Sequence, residues 1–320
     1  MSQGVQGLYA IVDLPHPHGL DAATLTRAVL GNRLEGGGDG ASVVQLRAKH
    51  ATTEQRVATL RQMSPLCREA GVPLIMNDDL DAALEAGADG VHLGQDDPGA
   101  DDPPSLRARA AAAGRVDFVV GLSTHDLGQL RAAGRRGPDY LALGPIAPTR
   151  SKQDPEAVVG LSTLLDGARL ASRPLVAIGG MNRQLGARTL EAGAAAVAVI
   201  GALVFDAPAK IQREAIALSS AFERAAALLS IEEVHRRIPV LSAELLADLA
   251  RWGDSLGTHV SLGLPARFAP RMSNGQPCYR PCDVLDLMMA LGKHPAETWE
   301  QWRERDPEDA GPIVQLRLRS

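Results

Sequence analysis

Residues able to do ionic chemistry fall in short clusters along roughly the first two thirds of the chain. Arg47 and Lys49 stand in Gln45-Leu46-Arg47-Ala48-Lys49, and Lys152 ends Thr149-Arg150-Ser151-Lys152. These cations suit a polyanion such as a diphosphate. Asp78 follows Asn77, and Asp97 closes His92-Leu93-Gly94-Gln95-Asp96-Asp97. Two carboxylates beside cations suit Mg2+, which keeps waters and takes further ligands from phosphate oxygens. Gly179-Gly180 and Ile200-Gly201 offer backbone N–H groups that a second anion, a monophosphate, can approach closely. Ser123, in Gly121-Leu122-Ser123-Thr124-His125, adds a hydroxyl.

Taken singly, each has a plainer reading. Asp78 and Asp97 could cap helices, as Asp79 and Asp81 are expected to do for the helix that follows them. Arg47 and Lys49 could be ordinary exposed charges, and Gly179-Gly180 a turn. Pro15-His16-Pro17-His18-Gly19 reads as a surface turn, because no third ligand follows at zinc spacing. His92 reads as a hydrogen-bonded core histidine.

Position is what joins the clusters. Each follows a short apolar run that reads as a strand: Leu8–Val12, Val43–Leu46, Pro73–Met76, Gly90–Leu93, Val116–Gly121, Tyr140–Leu143, Pro174–Ile178 and Ala195–Ile200. Helical spacing intervenes, for example over Thr53–Ala70, Ser105–Ala113, Leu127–Ala133, Asn182–Ala192 and Pro208–Leu229. Eight strands each trailed by a helix predict a (β/α)8 TIM barrel, with the chemistry gathered on the rim at the strands' carboxyl ends. A doubly wound open sheet competes, but Asp13-Leu14-Pro15-His16 after the first strand lacks the glycine-rich turn of that architecture. Glu85-Ala86-Gly87-Ala88 echoes as Glu191-Ala192-Gly193-Ala194, each predicted to end a helix in a glycine turn before a strand. The glycine-rich stretch Glu35–Gly40 is expected to be a flexible loop on the far side from the site.

In order, QLRAK (45–49), MNDD (76–79), GVHLGQDD (90–97), GLSTH (121–125), LGPIAPTRSK (143–152), AIGGM (177–181) and AVIGAL (198–203) resemble thiamine-phosphate synthase. The resemblance covers residues 7 to about 225. It implies an Mg2+-dependent barrel enzyme that couples 4-amino-2-methyl-5-hydroxymethylpyrimidine diphosphate to a thiazole phosphate and releases diphosphate. It assigns Gln45, Arg47, Lys49, Asn77, Ser123 and Lys152 to the pyrimidine diphosphate, and Asp78 and Asp97 to the metal. It gives Thr149, Arg150 and Ser151 to a loop closing on the thiazole, and Gly180, Ile200 and Gly201 to the thiazole phosphate. Arg47, Lys49, Ser123 and Lys152 are the residues expected to carry catalysis. Ser151 stands where the family often has Thr, and Gly201 where Ser is frequent; the first keeps a hydroxyl and the second a backbone N–H. A thiazole tautomerase on the same barrel is the rival enzyme, with His125 as its proton carrier, but it has no obvious use for Asp78 and Asp97. A non-catalytic thiamine-phosphate sensor is the rival of another class.

The bulk properties agree with a small-molecule enzyme. The chain has 33 basic and 38 acidic residues, a net charge of -5, which gives no reason to expect nucleic acid or a membrane surface. The N-terminus has no signal-like apolar core, no run spans a bilayer, and three cysteines are too few for a disulfide scaffold, so a cytoplasmic protein is expected, compatible with a homo-oligomer. Residues 1–230 form the expected barrel and 231–320 a separate small, mostly helical domain of unassigned role, with all three Trp (Trp252, Trp299, Trp302) and no barrel motif. Helices are expected there at Ser242–Trp252, Asp283–Leu291 and Pro295–Arg305, with Gly257–Pro281 irregular. Trp299 and Trp302 share a helix face and read as a core or docking stripe before they read as a ligand box. Cys278 and Cys282, with His259 or His294 nearby in sequence, read as ordinary thiols before they read as a zinc site.

Overall fold

A computed structural model describes residues 4–149, 151, 156–232, 234, 271–273, 276–281 and 283–284. The chain divides into two compact units, Met1–Ala226 and Ala227–Ser320. In the first, eight parallel strands hydrogen-bond in sequence order and close into a barrel. They are β1 (Gly7–Asp13), β2 (Val43–Arg47), β3 (Leu74–Asn77), β4 (Gly90–Leu93), β5 (Val119–Thr124), β6 (Tyr140–Leu143), β7 (Leu175–Ile178) and β8 (Ala196–Val199). A helix follows each: α1 (Ala22–Leu30), α2 (Thr53–Glu69), α3 (Leu80–Ala86), α4 (Pro103–Ala112), α5 (Leu127–Arg135), α6 (Gly160–Leu170), α7 (Arg183–Glu191) and α8 (Pro208–Ala226). This is the (β/α)8 architecture that the apolar runs imply. No helix among the described residues is long and apolar enough to cross a membrane.

Alternation along the strands makes two cores. On β1, Leu8, Ala10 and Val12 pack outward against the helices, while Tyr9 and Ile11 point into the barrel with Val43, Ile75, Val176 and Ala198. Burying each large aliphatic side chain contributes about 1.5–3 kcal/mol. The outer layer, rich in Leu and Ala, therefore ties helices to sheet all the way round.

The helix starts are set locally. Asp21, Asp79, Asp102, Asp126 and Asn182 each accept a backbone N–H in the first turn of α1, α3, α4, α5 and α7, and Thr52 makes a reciprocal capping box with Gln55 on α2. The helix ends behave as the echoed motif implies. Gly87 caps α3 at φ +72° and Gly193 follows α7 at φ +105°, and each leads into a strand.

Several expectations need correction. Strand β5 begins at Val119, not Val116; α4 gives way to a left-handed Gly114, and Val116 is 80% exposed before the chain reaches its partner Gly90. Helix α8 stops at Ala226, because Leu229–Ser230 form a strand, β9. Glu35–Gly40 is pinned: Asn32 N donates to Asp39 O, Gly37 N to Asn32 O, and the Ser220 hydroxyl to Asp39. It does lie between α1 and β2, away from the strands' carboxyl ends.

The second unit, where described, is a three-stranded antiparallel sheet ordered β10–β11–β9, with β10 Arg271–Ser273 and β11 Gln276–Tyr279. Strand pairing thus replaces the irregular chain expected within Gly257–Pro281. Ser273 pairs with Gln276, so Asn274-Gly275, a dipeptide suited to two-residue hairpins, stands between the strands in sequence. Pro281, Asp283 and Val284 are helical, which is where the Asp283–Leu291 helix was expected to start. Its remainder, the expected helices at 242–252 and 295–305, and Trp252, Trp299 and Trp302 lie outside the described residues.

One glycine ties the fold to the cavity above it. A Cβ at Gly121 on β5 would sit 2.0 Å from Tyr140 Cζ. Gly121→Ala is expected to displace this fully buried ring at a cost of about 1–3 kcal/mol, read as a lower Tm in thermal denaturation. Gly38→Ala, with nothing within 4 Å of the new methyl, serves as the control. Equal melting of the two variants would show that the Tyr140 ring is not held there.

Candidate active site

The strands' carboxyl ends open into a cavity of about 830 Å3. Gln45 and Arg47 on β2, Asn77 at the end of β3 and Ser123 on β5 line it, with Lys49, Asp78 and Asp97 from the loops. Thr149, Ser151, Gly180, Ile200 and Gly201 line the part formed after β6, β7 and β8. The closed sheet thus brings together every described residue that the sequence assigned to the substrate and metal sites. Arg150 and Lys152 lie outside the described residues.

Asp78 has the least ordinary backbone of the set. It sits at φ +68°, among the described residues the single non-glycine with positive φ, and its N–H donates to His92 O at 2.9 Å. The next residue, Asp79, takes the capping role: it accepts from Ala82 N at 2.9 Å and pairs with Arg56 at 3.0 Å. Asp81 pairs with Arg109. Asp78 is thereby freed from capping and directed to the cavity. Asp97 anchors its own loop by accepting from Gly94 N at 2.6 Å. Burial, a hydrogen bond that protonated Asp78 donates to Asp97 and the charge of Asp97 push the Asp78 carboxyl up to about 6, against the pull of Lys49 and Arg47. Arg47 is held at 2.6 Å by Asp13, its register partner at the end of β1, which sequence reasoning missed. The apolar run read as ending at Val12 in fact extends one residue to include it.

Below the ions lies a row of polar side chains that the sequence did not reveal. Tyr9 OH donates to Gln45 Oε1 at 2.6 Å and lies 2.8 Å from Tyr140 OH, while Gln45 Nε2 donates to Asn77 Oδ1 at 2.9 Å. His92 contacts Tyr140 OH through Nδ1 and Ser123 Oγ through Nε2, both at 2.9 Å. His92 is the buried, hydrogen-bonded histidine expected, but it faces the cavity. The tyrosines were hidden by their setting within apolar strands.

The glycines after β7 and β8 open the other side. Gly179 and Gly180 have φ +97° and +68°, and a Cβ on Gly180 would meet Ala147 Cβ at 2.7 Å. Gly201 begins a 3-10 turn, Gly201–Leu203, with open space where a Cβ would be. Gly179, Gly180, Ile200 and Gly201 all line the cavity, and the start of a turn offers N–H groups of the kind an anion requires. His125 Nδ1–H donates to Gly144 O at 2.6 Å, a contact that holds the β5 and β6 ends together. The expected surface turn is present, with Pro17, His18 and Gly19 exposed, but His16 is buried beneath it: its Nδ1 accepts from His18 N at 3.4 Å, and its Nε2 has no hydrogen-bond partner among the described residues. Among the described residues no three His, Cys, Asp or Glu converge as a metal cage. Cys278 is a free thiol, and Cys282, His259 and His294 lie outside the described residues.

A family profile described as thiamine monophosphate synthase matches residues 8–203. The chain belongs to the thiamine monophosphate synthase family. Over 197 residues it is 41% identical to a thiamine-phosphate synthase of Chloroflexus aurantiacus, covering 62% of this chain and 84% of that one. It is 38% identical over 168 residues to a thiamine-phosphate synthase of Bacillus velezensis, covering 51% and 71% of the two chains. The solved thiamine phosphate pyrophosphorylase of Pyrococcus furiosus superposes with a TM-score of 0.58 at 26% identity, over 69% of this chain and 98% of that one. The family match ends within the barrel unit.

The raised Asp78 carboxyl has a signed consequence for stability. The folded chain holds this proton more tightly than the unfolded chain, so ionisation costs the fold. That part of the stability is present below the unfolded carboxylate value of about 4 and is lost as pH rises to about 6. Asp78→Asn keeps a residue that tolerates positive φ and removes the charge. In chelator, its Tm relative to the parent chain is therefore expected to rise between about pH 4 and pH 7; a fall across that interval would contradict the placement of the two carboxylates.

Proposed function

We propose that this chain catalyses the condensation for which its relatives are named, joining an aminopyrimidine diphosphate to a thiazole phosphate to give thiamine phosphate and diphosphate. One observation carries the reading: a single cavity is lined by cations and a carboxylate pair at the ends of β2 to β4, and by glycines after β7 and β8. Two phosphorylated substrates thus have separate anchoring groups within one chamber.

The acidic pair fits Mg2+. Two adjacent carboxylates, one with its charge disfavoured by burial and by the other, gain from a divalent cation, and a pair of carboxylate ligands would leave further coordination to phosphate oxygens and water. When bound to Asp78 and Asp97, Mg2+ supplies positive charge to the departing diphosphate. Arg47 and Lys49 bind the same diphosphate, joined by Lys152, and Asp13 fixes the Arg47 guanidinium in place. Gln45, Asn77 and Ser123 orient the pyrimidine. Gly180, Ile200 and Gly201 take the thiazole phosphate on their backbone, while Thr149, Arg150 and Ser151 cover the thiazole.

The bond changes balance without a proton carrier. The methylene C–O bond breaks, its electron pair leaves with diphosphate, and the amino-substituted ring shares the positive charge. The thiazole nitrogen lone pair then forms the new C–N bond. Positioning and charge stabilisation supply most of the acceleration. A tautomerase would have no use for the Asp78–Asp97 pair, and a sensor would have none for a leaving-group site.

The purified chain given both substrates with Mg2+ is expected to release thiamine phosphate and diphosphate in equal amounts. Binding without turnover would favour the sensor, and proton exchange on the thiazole alone the tautomerase. Asp78→Asn and Asp97→Asn are expected to lower kcat roughly 10²–10³-fold; full activity of both in limiting Mg2+ would remove the metal assignment. Gly180→Ala, strained at φ +68°, is expected to raise KM for thiazole phosphate by roughly tenfold or more. KM for the diphosphate substrate should stay near its original value.

A further inference from the structure

Six side chains form one continuous hydrogen-bonded row: Asn77, Gln45, Tyr9, Tyr140, His92 and Ser123. It starts on β3, passes through β2 and β1, crosses to β6, and returns through β4 to β5, so its two ends flank β4. Counting protons along the row gives it a direction. A phenol has one proton to donate. Tyr9 spends its proton on Gln45 Oε1, so in the 2.8 Å contact between the phenols Tyr140 is the donor. Tyr140 has then spent its own proton and must accept from His92 Nδ1–H. A neutral imidazole protonated at Nδ1 is bare at Nε2, so the Ser123 hydroxyl donates to it. Burial pushes both phenols well above their ordinary range, which keeps each with its single proton. The His92 ring lies nearly parallel to Tyr140, at 19°, with ring centroids 5.5 Å apart, which limits reorientation of either.

We propose that this row is a proton-ordered positioning device: it locks His92 in the Nδ1–H tautomer, makes Ser123 Oγ an acceptor towards the cavity, and so selects a ligand that presents an N–H donor there. Tyr9, Tyr140 and His92 act as positioning residues through Ser123. At the other end Asn77 Oδ1 is taken by Gln45, so the Asn77 amide N–H2 is what remains for the cavity. An exocyclic amino group on a heteroaromatic ring matches the acceptor at Ser123. A carbonyl oxygen there would face lone pairs and leave a buried acceptor unpaired, which is how polar sites reject near-isosteres. The choice of an aminopyrimidine as that ligand rests on the condensation proposed above; the proton order does not.

Two measurements on the full chain separate these layers. The first is the imidazole 15N spectrum of ligand-free, 15N-labelled protein at about pH 8, above the ordinary histidine range, with the His92 signals assigned by their loss in His92→Gln. A protonated Nδ1 and bare Nε2 are expected; a protonated Nε2 would reverse the row and overturn the proposal. The second compares kcat/KM for the aminopyrimidine diphosphate with that for the same compound bearing oxygen in place of the amino group. In Tyr140→Phe the order is broken and Ser123 regains a free proton, so the preference for the amino compound is expected to fall roughly tenfold, mostly through KM. An equal loss on both compounds is what a purely structural tyrosine would give, and would overturn the selection. Should the parent chain turn over neither compound, the condensation reading fails, and the spectrum alone decides the proton order.

Discussion

Closure of the sheet between β8 and β1 is the constraint on which everything else in the first unit depends. Gly7 to Ala10 pair with Ala196 to Val199, and Tyr9 to Asp13 pair with Val43 to Arg47. The N-terminal strand is therefore hydrogen-bonded on both sides by segments far apart in sequence. That ring of hydrogen bonds removes the sheet edges and turns eight carboxyl ends to one rim. It also sets Gly201, just past β8, in the same chamber as Arg47 on β2. An open sheet of the same strands would leave those groups towards opposite edges.

Within the ring, charge is arranged by division of labour between neighbours in sequence. Asp79 caps α3 and pairs with Arg56, and the left-handed turn at Asp78 sends the adjacent carboxylate to the cavity. Asp13 balances Arg47, whereas Lys49 stands exposed at the mouth. The outcome is a site whose like charges, Asp78 and Asp97, are poised to gain from a cation, beside positive groups poised to gain from an anion. Such a site is costly when empty and favourable when filled, which fits binding of a metal together with a diphosphate.

Much of this was legible from the chain alone. The eight apolar runs, their polar ends and the glycine pairs gave the strand count and the rim, because strand burial and tight backbone turns leave direct marks on residue type. The errors share a cause. Val116 belongs to an apolar run but not to the strand, since pairing with Gly90 sets where β5 begins. The second unit's strands were obscured by the Gly and Pro content of the segment around them, although Asn274-Gly275 carried a hairpin signal.

What the sequence by itself determined was the periodicity, the helix caps and the inventory of groups on the rim; these depend on neighbours a few residues apart. Only the tertiary structure decided that Asp13 holds Arg47 and that Tyr9 meets Tyr140 from the other side of the barrel. Such contacts join residues up to 131 positions apart. A tyrosine in an apolar strand looks the same in sequence whether it faces a helix or a hydrogen-bond partner. Closure of the barrel chooses between them, because strand register fixes which alternate side chains point inward.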